Sequence, residues 1–566
     1  QDKFFLDNIN KLFSKKKFDE IVLKIRENNH FLKNCPDLFN ISGVSQILKL
    51  NYNKSDVISA LSDFENYFLK SKTNDKKIEA VCNYIATCVV NSQKYHEIIS
   101  YFEKAKNLFE KCEQLVGYNE RLYLSGVDLY KYILDHNKNR KLLIKLIKNK
   151  TKSKIAACAY GYMSNYTYDW GLKDYFDYSK NFTNYFPKHE VKNINEIEYR
   201  EDKKIRIAFV SKDFKANHSI TWVIKDTLLY FNKDQFETFG ISMTDDILLK
   251  GSSLELKNNL DNWFDFSKLK NEEIITKLQD LKIEILIDTG GLFHADRIEI
   301  FNTRVAPIQI SWVGYLNTVG YPTIDFLISD KNLIKKDEEN FYSEKIIKMS
   351  NIWNCHSGFK FEREFSELPV KRNKHITFGS FNNFLKISNE VVEVWSKILK
   401  KVNNSKLILK SSLNVNTDFI LDKFKKFGVH NSIEFFEKDQ DVENHIKSYK
   451  KIDIALDTFP YNGGITTFEA LWSGVPVIGM SGFNMMSRCG ESILKNAKLE
   501  NLISINKEDY IDKALYLSEN LKALEELRLK IFKNILNTPL FESKIFSIDF
   551  QNKLLDIYKK TNHKII

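Results

Sequence analysis

The chain is poor in glycine, with 20 in 566 residues. Glycine is where a backbone turns tightly or lets another group come close, so a glycine-poor chain has few such places and a local concentration is informative. Only five precede residue 200, and six lie between Gly463 and Gly490. Cysteine is also sparse: Cys35, Cys82, Cys88, Cys112, Cys158, Cys355 and Cys489 are scattered, odd in number and never spaced CxxC. That excludes a disulfide frame and a zinc-ribbon pattern, and predicts reduced thiols in a cytoplasmic protein. No apolar run approaches the ~18 residues of a membrane span. The start lacks the charged-then-apolar pattern of a signal peptide. It begins at Gln1 rather than Met, which leaves room for a preceding segment.

What is present suffices for several packed cores. Apolar residues make up 43% and aromatics 13%, and the length predicts three or four domains. The net charge of +11 is modest but locally concentrated: residues 136–154 carry eight Lys or Arg and no acid. Such a run reads as a solvated basic helix face, or else as a docking site for an acidic partner. Nucleic-acid binding would require interleaved aromatics and a recognisable motif, and neither is visible. The Gly-poor, Lys- and Asn-rich composition fits an AT-rich bacterial genome.

Residues 1–195 read as a helical domain, with apolar residues at three- and four-residue spacing. Two stretches suggest degenerate helix-pair repeats of the tetratricopeptide kind. One is 83–105 with Ala86, Ile98, Phe102 and Ala105; the other contains Phe39, Gly43, Ala60, Phe64 and Tyr67. Small residues let paired helices approach, and an aromatic fills the groove to the next pair. Residues 188–204 are a polar connector. After it, short apolar runs at 205–210, 238–241, 283–287, 308–313 and 326–328 alternate with helical stretches. A second set follows at 376–380, 406–410, 433–435, 452–456 and 475–479. This alternation predicts an α/β region of two doubly wound, Rossmann-like halves, 203–370 and 371–545, then a C-terminal helix over 546–566. Ligands of such sheets bind at strand C-termini, here in the cleft between the halves.

The glycine cluster sits in such a place. Residues 452–474 read IDIALDTFPYNGGITTFEALWSG: a buried strand ending in Asp457, a turn containing Gly463 and Gly464, then a helix opened by Thr466, Thr467 and Glu469. Strand, glycine turn and helix N-terminus make an anion site of free N–H groups, and the threonines add hydroxyl donors. Gly-Gly alone would suit an ordinary turn; with the Thr pair and Glu469 the pattern points to a nucleotide.

Five ordered motifs carry a family resemblance: IRIAFVSKDFKANHS (205–219), DRIEIFNTRVAPIQISWVGY (296–315), TFGSFNNFLKISNEVVEVWSKIL (377–399), HIKSYKKIDIALDTFPYNGGITTFEALWSGVPVI (445–478) and SRCGESIL (487–494). On them, residues 203–545 resemble the O-GlcNAc transferase family of glycosyltransferases, with its bacterial and SPINDLY-like relatives. The resemblance implies a two-Rossmann GT-B fold behind a tetratricopeptide-like region. It implies Lys386 as the lysine on the sugar-nucleotide diphosphate and Asn383 as a nucleotide contact. It places His445 against the uracil ring, Gly463, Gly464, Thr466 and Thr467 in the phosphate turn, and Glu469 on the ribose. His218 matches the catalytic histidine, to deprotonate or to orient the acceptor, in a loop one residue longer than the family's. Two loops depart from the pattern, with Leu292 where relatives often have histidine and Leu316 where they have proline; His294 stands two positions beyond Leu292. Arg297, Arg304 and Arg488 are candidate cleft cations or structural ion-pair residues.

The resulting expectation is an inverting glycosyltransferase without metal or cofactor, its nucleotide sugar being a substrate. It would move GlcNAc from UDP-GlcNAc onto Ser or Thr of an acceptor protein that the helical domain recognises. Alternatives are glucosylation of Asn from UDP-glucose, fucosylation from GDP-fucose, a nucleotide-sugar 2-epimerase, or a non-enzymatic helical scaffold with a degenerate transferase region.

Overall fold

The computed structural model describes residues 2–182, 203–216, 218–356, 358–410, 417–437, 439 and 441–562. The chain forms two compact units: residues 1–151 with 414–420, and residues 152–413 with 421–566. The helical span 1–195 therefore divides between them, since helices Lys154–Met163 and Leu172–Phe182 belong to the second. The connector at 188–204 lies, up to residue 202, outside the described residues.

The first unit stacks amphipathic helices, among them Asp37–Leu48, Lys54–Lys70, Asn74–Asn91, Phe102–Val116, Glu120–Tyr132 and His136–Lys148. Local chemistry sets several starts: Asn53 and Asp56 form a reciprocal capping box, and Asn119 and Asp135 accept from backbone N–H groups one turn on. The expected small–aromatic packing is present where Gly43 faces Phe64; a Cβ there would stand 2.7 Å from the ring. Ile98, Phe102 and Ala105 are buried. Ala86 is exposed, so it is not a packing residue of a helix pair.

The second unit contains two parallel sheets. The first has β1 (Ile205–Ser211), β2 (Phe236–Ser242), β3 (Asn262–Asp265), β4 (Ile285–Asp288), β5 (Ile308–Ser311), β6 (Phe326–Ser329) and β7 (Lys345–Lys348), in the order β3-β2-β1-β4-β5-β6-β7. The second has β8 (Thr377–Ser380), β9 (Lys406–Leu409), β10 (Ile433–Phe435), β11 (Ile454–Leu456), β12 (Val477–Met480) and β13 (Ile503–Ser504), in the order β10-β9-β8-β11-β12-β13. Both are doubly wound, and strand order reverses between β1 and β4 and between β8 and β11. Those reversals open crevices at the strand C-termini, where such sheets take ligands.

The halves are tied together at several points. Arg488 makes a bidentate ion pair with Glu338 (2.5 and 2.8 Å), and Ser492 Oγ donates to Asp330 (2.7 Å). The helix Ser543–Asn562 returns to the first half, where Phe550 packs on Trp312 at 4.5 Å and the Tyr558 hydroxyl donates to Glu284 (2.6 Å). Among the described residues, no helix is long and apolar enough to cross a membrane.

Candidate active site

The second sheet's reversal lies between β8 and β11, and the loops leaving these two strands build the site. Asp457 follows β11 and is 2% exposed. Its Oδ1 accepts from the backbone N–H of Gly463 (2.6 Å) and Thr458 (2.8 Å) and from the Asn382 side chain (3.3 Å). Three donors converging on one oxygen fold the glycine turn back over the strand end. Gly463 is required there, since a Cβ would lie 2.8 Å from Asp457 Oδ1 and from the Thr466 and Thr467 hydroxyls. The other carboxylate oxygen, Oδ2, is buried without a hydrogen bond. Burial pushes this carboxyl up to about 6, against the pull of the Gly463 N–H and of Lys386. Thr466 Oγ1 donates to Asn382 Oδ1 (3.1 Å), which locks the helix Ile465–Trp472 to the loop after β8.

Lys386 ends the short turn Phe384–Lys386 and reaches into the same crevice. Its Nζ donates to the Asn462 carbonyl (2.8 Å) and lies 4.1 Å from the centre of the Tyr461 ring. Burial pushes its pKa down to about 8, against the attraction of Asp457. A partly desolvated ammonium beside a helix N-terminus suits an anion. Asn383 starts the turn, its side chain accepting from Leu385 N–H (3.0 Å).

His445 and Glu469 are brought together beside this turn. His445 Nε2 stands 3.1 Å from Glu469 Oε2, and the Tyr449 hydroxyl donates to the same oxygen (3.0 Å). Lys410, at the end of β9, contacts Asp439, donates to Ser448 Oγ (3.1 Å) and lies 5.2 Å from the Phe381 ring centre. Burial pushes Lys410 down to about 8, with Glu469 pulling the other way. Ionisable, hydroxyl and aromatic groups thus line one strand end, a set able to pair with sugar hydroxyls and pack on a flat ring.

His218 lies on the first half as the N-cap of helix Ser219–Leu228, its Nδ1 accepting weakly from Ile220 N–H (3.4 Å). Its Nε2 is 3.9 Å from Asp213 Oδ1, while His294 Nε2 is 3.5 Å from Asp213 Oδ2. Burial disfavours charge on Asp213, but His294, His218 and Lys215 outweigh it and hold the carboxyl well below its usual range. Burial also lowers the His218 pKa, although Asp213 opposes this. At the helix cap Nδ1 acts as an acceptor, which leaves Nε2 as the ring nitrogen that faces away from the backbone. One turn on, Trp222 stacks on His356 at 5.4 Å, and His356 packs on Phe468 of helix Ile465–Trp472 at 6.4 Å. The His218 helix and the helix after the glycine turn therefore share one aromatic cluster.

Leu292 packs on the helix Lys154–Met163: a Cβ on Gly161 would meet its Cδ1 at 2.7 Å. His294, two positions on, joins the Asp213 cluster instead. The candidate arginines have structural partners. Arg297 donates to the carbonyls of Leu269 and Ser267, Arg304 pairs with Asp325 (2.7 Å), and Arg488 pairs with Glu338.

The turn Ser164–Tyr166 touches both halves. Asn165 Oδ1 accepts from the side chains of Asn317 (3.1 Å) and Asn484 (3.5 Å), and the Tyr166 ring lies 4.9 Å from that of Tyr461, the ring beneath Lys386. Asn382, Lys410, Asp439, Tyr449 and Tyr166 were not singled out from sequence. A signal was available for one of them, Lys410, because polar residues end the neighbouring runs of the second sheet at Ser380, Lys410 and Asp457, where an apolar run would be expected to continue.

The family model for glycosyl transferase family 41 matches residues 183–360 and 361–550. The chain belongs to glycosyl transferase family 41. Together the two matches take in the strand ends described above, Asp213 in the first and Lys386 to Glu469 in the second. A tomato (Solanum lycopersicum) relative named "Probable UDP-N-acetylglucosamine--peptide N-acetylglucosaminyltransferase SPINDLY" is 25% identical over 422 residues, 71% of this chain and 43% of its own length. A relative of the same name from Eustoma exaltatum subsp. russellianum is 30% identical over 342 residues, 59% of this chain and 37% of its own. The chain thus spans less than half the length of these curated relatives. Among solved structures, a lysine-to-methionine mutant of the Thermobaculum terrenum O-GlcNAc transferase has the same fold. It superposes with a TM-score of 0.75 at 20% identity, over 90% of this chain and 96% of that one.

Proposed function

We propose that the protein is an inverting, metal-independent glycosyltransferase that moves GlcNAc from UDP-GlcNAc onto a Ser or Thr hydroxyl of a polypeptide. The observation that carries this reading is the Lys386 ammonium, half-buried beside the Gly463–Gly464 turn at the N-terminus of helix Ile465–Trp472. The acceptor oxygen attacks the anomeric carbon from the face opposite the leaving nucleoside diphosphate. As that bond breaks, charge grows on the diphosphate, and in this reading Lys386, the N-terminus of helix Ile465–Trp472 and the Thr467 hydroxyl stabilise it, while the Gly463 N–H and the Thr466 hydroxyl hold the turn through Asp457 and Asn382. With these groups as the diphosphate's cationic and dipolar partners, the reading assigns no metal a role. His445, Glu469 and Lys410 form the pocket for base and ribose. In this reading His218 orients the acceptor rather than deprotonating it, because its Nδ1 already accepts at the helix cap. The GlcNAc donor and the polypeptide acceptor follow the names of the plant relatives.

The test is a thermal-shift panel with UDP, GDP, UDP-GlcNAc, UDP-glucose and GDP-fucose on the protein and on Lys386→Ala. A ligand at 100 times its dissociation constant adds about 2.7 kcal/mol to stability. Stabilisation by the uridine nucleotides, greatest for UDP-GlcNAc and lost in the variant, is the expected outcome. Stabilisation by GDP alone would move the reading to fucosyl transfer, and no response to any nucleotide would overturn it.

A further inference from the structure

The basic run in the first unit has no part in the transfer reaction described above. On helix His136–Lys148, the side chains of Leu142, Leu143 and Leu146 are buried. Lys138, Lys141, Lys145 and Lys148 recur at steps of three, four and three, so they share one side of the helix and span ~15 Å. Beside this stripe lies an open groove of roughly 530 Å³, lined by Glu113, Gln114, Tyr118, Tyr123, Lys138 and Lys145 among others. On its floor the Glu113 carboxylate accepts from the Tyr123 hydroxyl (2.8 Å), Lys138 (3.1 Å) and Lys145 (3.2 Å). One acid thus serves two lysines. Lys141 and Lys148 are exposed and have no ion-pair partner among the described residues. Tyr118, 40% exposed, meets Tyr123 edge-on at 5.0 Å and gives the groove an apolar lip.

We propose that this groove docks an acidic segment of a partner polypeptide in extended conformation. An extended chain advances ~3.3 Å per residue with side chains on alternate sides. Four or five residues therefore cover the stripe, and carboxylates two positions apart fall ~6.6 Å from each other, within reach of successive flexible lysines. Glu113 holds Lys138 and Lys145 upright, while the tyrosine lip receives an apolar side chain. Nucleic acid fits less well: groove and stripe together offer four lysines against one carboxylate, fewer than the roughly six to ten phosphate contacts through which proteins hold nucleic acid. The proposal does not depend on the transferase reading, because the donor site lies in the other unit.

The full chain is titrated with a fluorescein-labelled peptide of alternating Glu and Ser, and with its Gln/Ser twin, by fluorescence anisotropy. The acidic peptide is expected to bind and the twin not. The Lys141→Glu, Lys148→Glu double variant, both changes being on exposed side chains, is expected to weaken binding about tenfold or more while unfolding at the same temperature. Equal binding by the twin or by the double variant overturns the proposal. So does tighter binding of a single-stranded oligonucleotide or of an anionic phospholipid vesicle than of the acidic peptide. Stabilisation by UDP, read on the same samples, separates failure of the groove from failure of the donor site.

Discussion

If Lys386 holds the donor's diphosphate, affinity for the donor has to fall in a pH range where an ordinary lysine would do nothing. Burial sets its pKa at about 8. At pH 7 the ammonium is then charged in about 90% of molecules, and at pH 9 in about 10%. Binding that requires the charged form should weaken about tenfold between these values. A lysine at the usual ~10.4 would stay almost fully charged and change affinity by less than about 10%. The assay is a calorimetric titration of UDP at half-unit steps from pH 7 to 9, on the protein and on Lys386→Met. The variant removes the charge while leaving a side chain of similar length over Tyr461. Titration of uracil and of Lys410 occurs in both proteins, so their difference isolates Lys386. A flat profile for the native protein, or an equal decline in Lys386→Met, would refute the assignment. Stability carries the opposite sign. Between the folded pKa of about 8 and the unfolded value of ~10.4, the unfolded chain keeps a proton that the folded chain has released. The folded state therefore gains as pH rises through that window, and the burial penalty is complete only below it.

Two further outcomes follow from geometry alone. Gly463→Ala drives a methyl to 2.8 Å from Asp457 Oδ1 and two threonine hydroxyls; urea unfolding should show a loss of about 1–3 kcal/mol, and an unchanged midpoint would mean the turn is looser than described. Glu338→Gln leaves Arg488, whose side chain is 4% exposed, without its bidentate partner. The expected loss is about 3 kcal/mol, and the double replacement Glu338→Leu, Arg488→Met should recover much of it; a double variant no more stable than the single one would contradict the argument.

The sheets were readable from sequence where strands are covered on both faces. β1, β4, β5, β8, β11 and β12 are short apolar runs between helical stretches, and all six appear within two or three residues of the expected bounds. β3 (Asn262–Asp265), β7 (Lys345–Lys348) and β13 (Ile503–Ser504) were missed, and each lies at a sheet edge, whereas the fourth edge strand, β10 (Ile433–Phe435), stands at its expected bounds. Edge strands are half wet, so polar residues such as Asn262, Asp265, Lys345 and Lys348 are tolerated and the apolar run shrinks to two residues. In the site, the residues adjacent in sequence around the glycine turn were legible, and Lys386 and His445 came from the family resemblance. Asn382, Asp439 and Tyr449 escaped because their significance is a meeting of separate elements that no spacing records. Asn382, for example, matters because it joins Asp457 to Thr466, residues 75 and 84 positions away.

The Asn165 bridge bears on where this protein can be cut. The family match starts at residue 183, and a fragment begun there would contain every described strand and every candidate ligand contact. It would lack Asn165, however, and with it the shared hydrogen-bond acceptor for Asn317 in one half and Asn484 in the other. It would also lose Tyr166, whose ring packs 4.9 Å from that of Tyr461, the ring beneath the Lys386 ammonium. A fragment begun at residue 152, where the second compact unit starts, keeps both. Loss of donor binding in the shorter piece would then report a missing wall of the site and say nothing about the chemistry of the residues that remain.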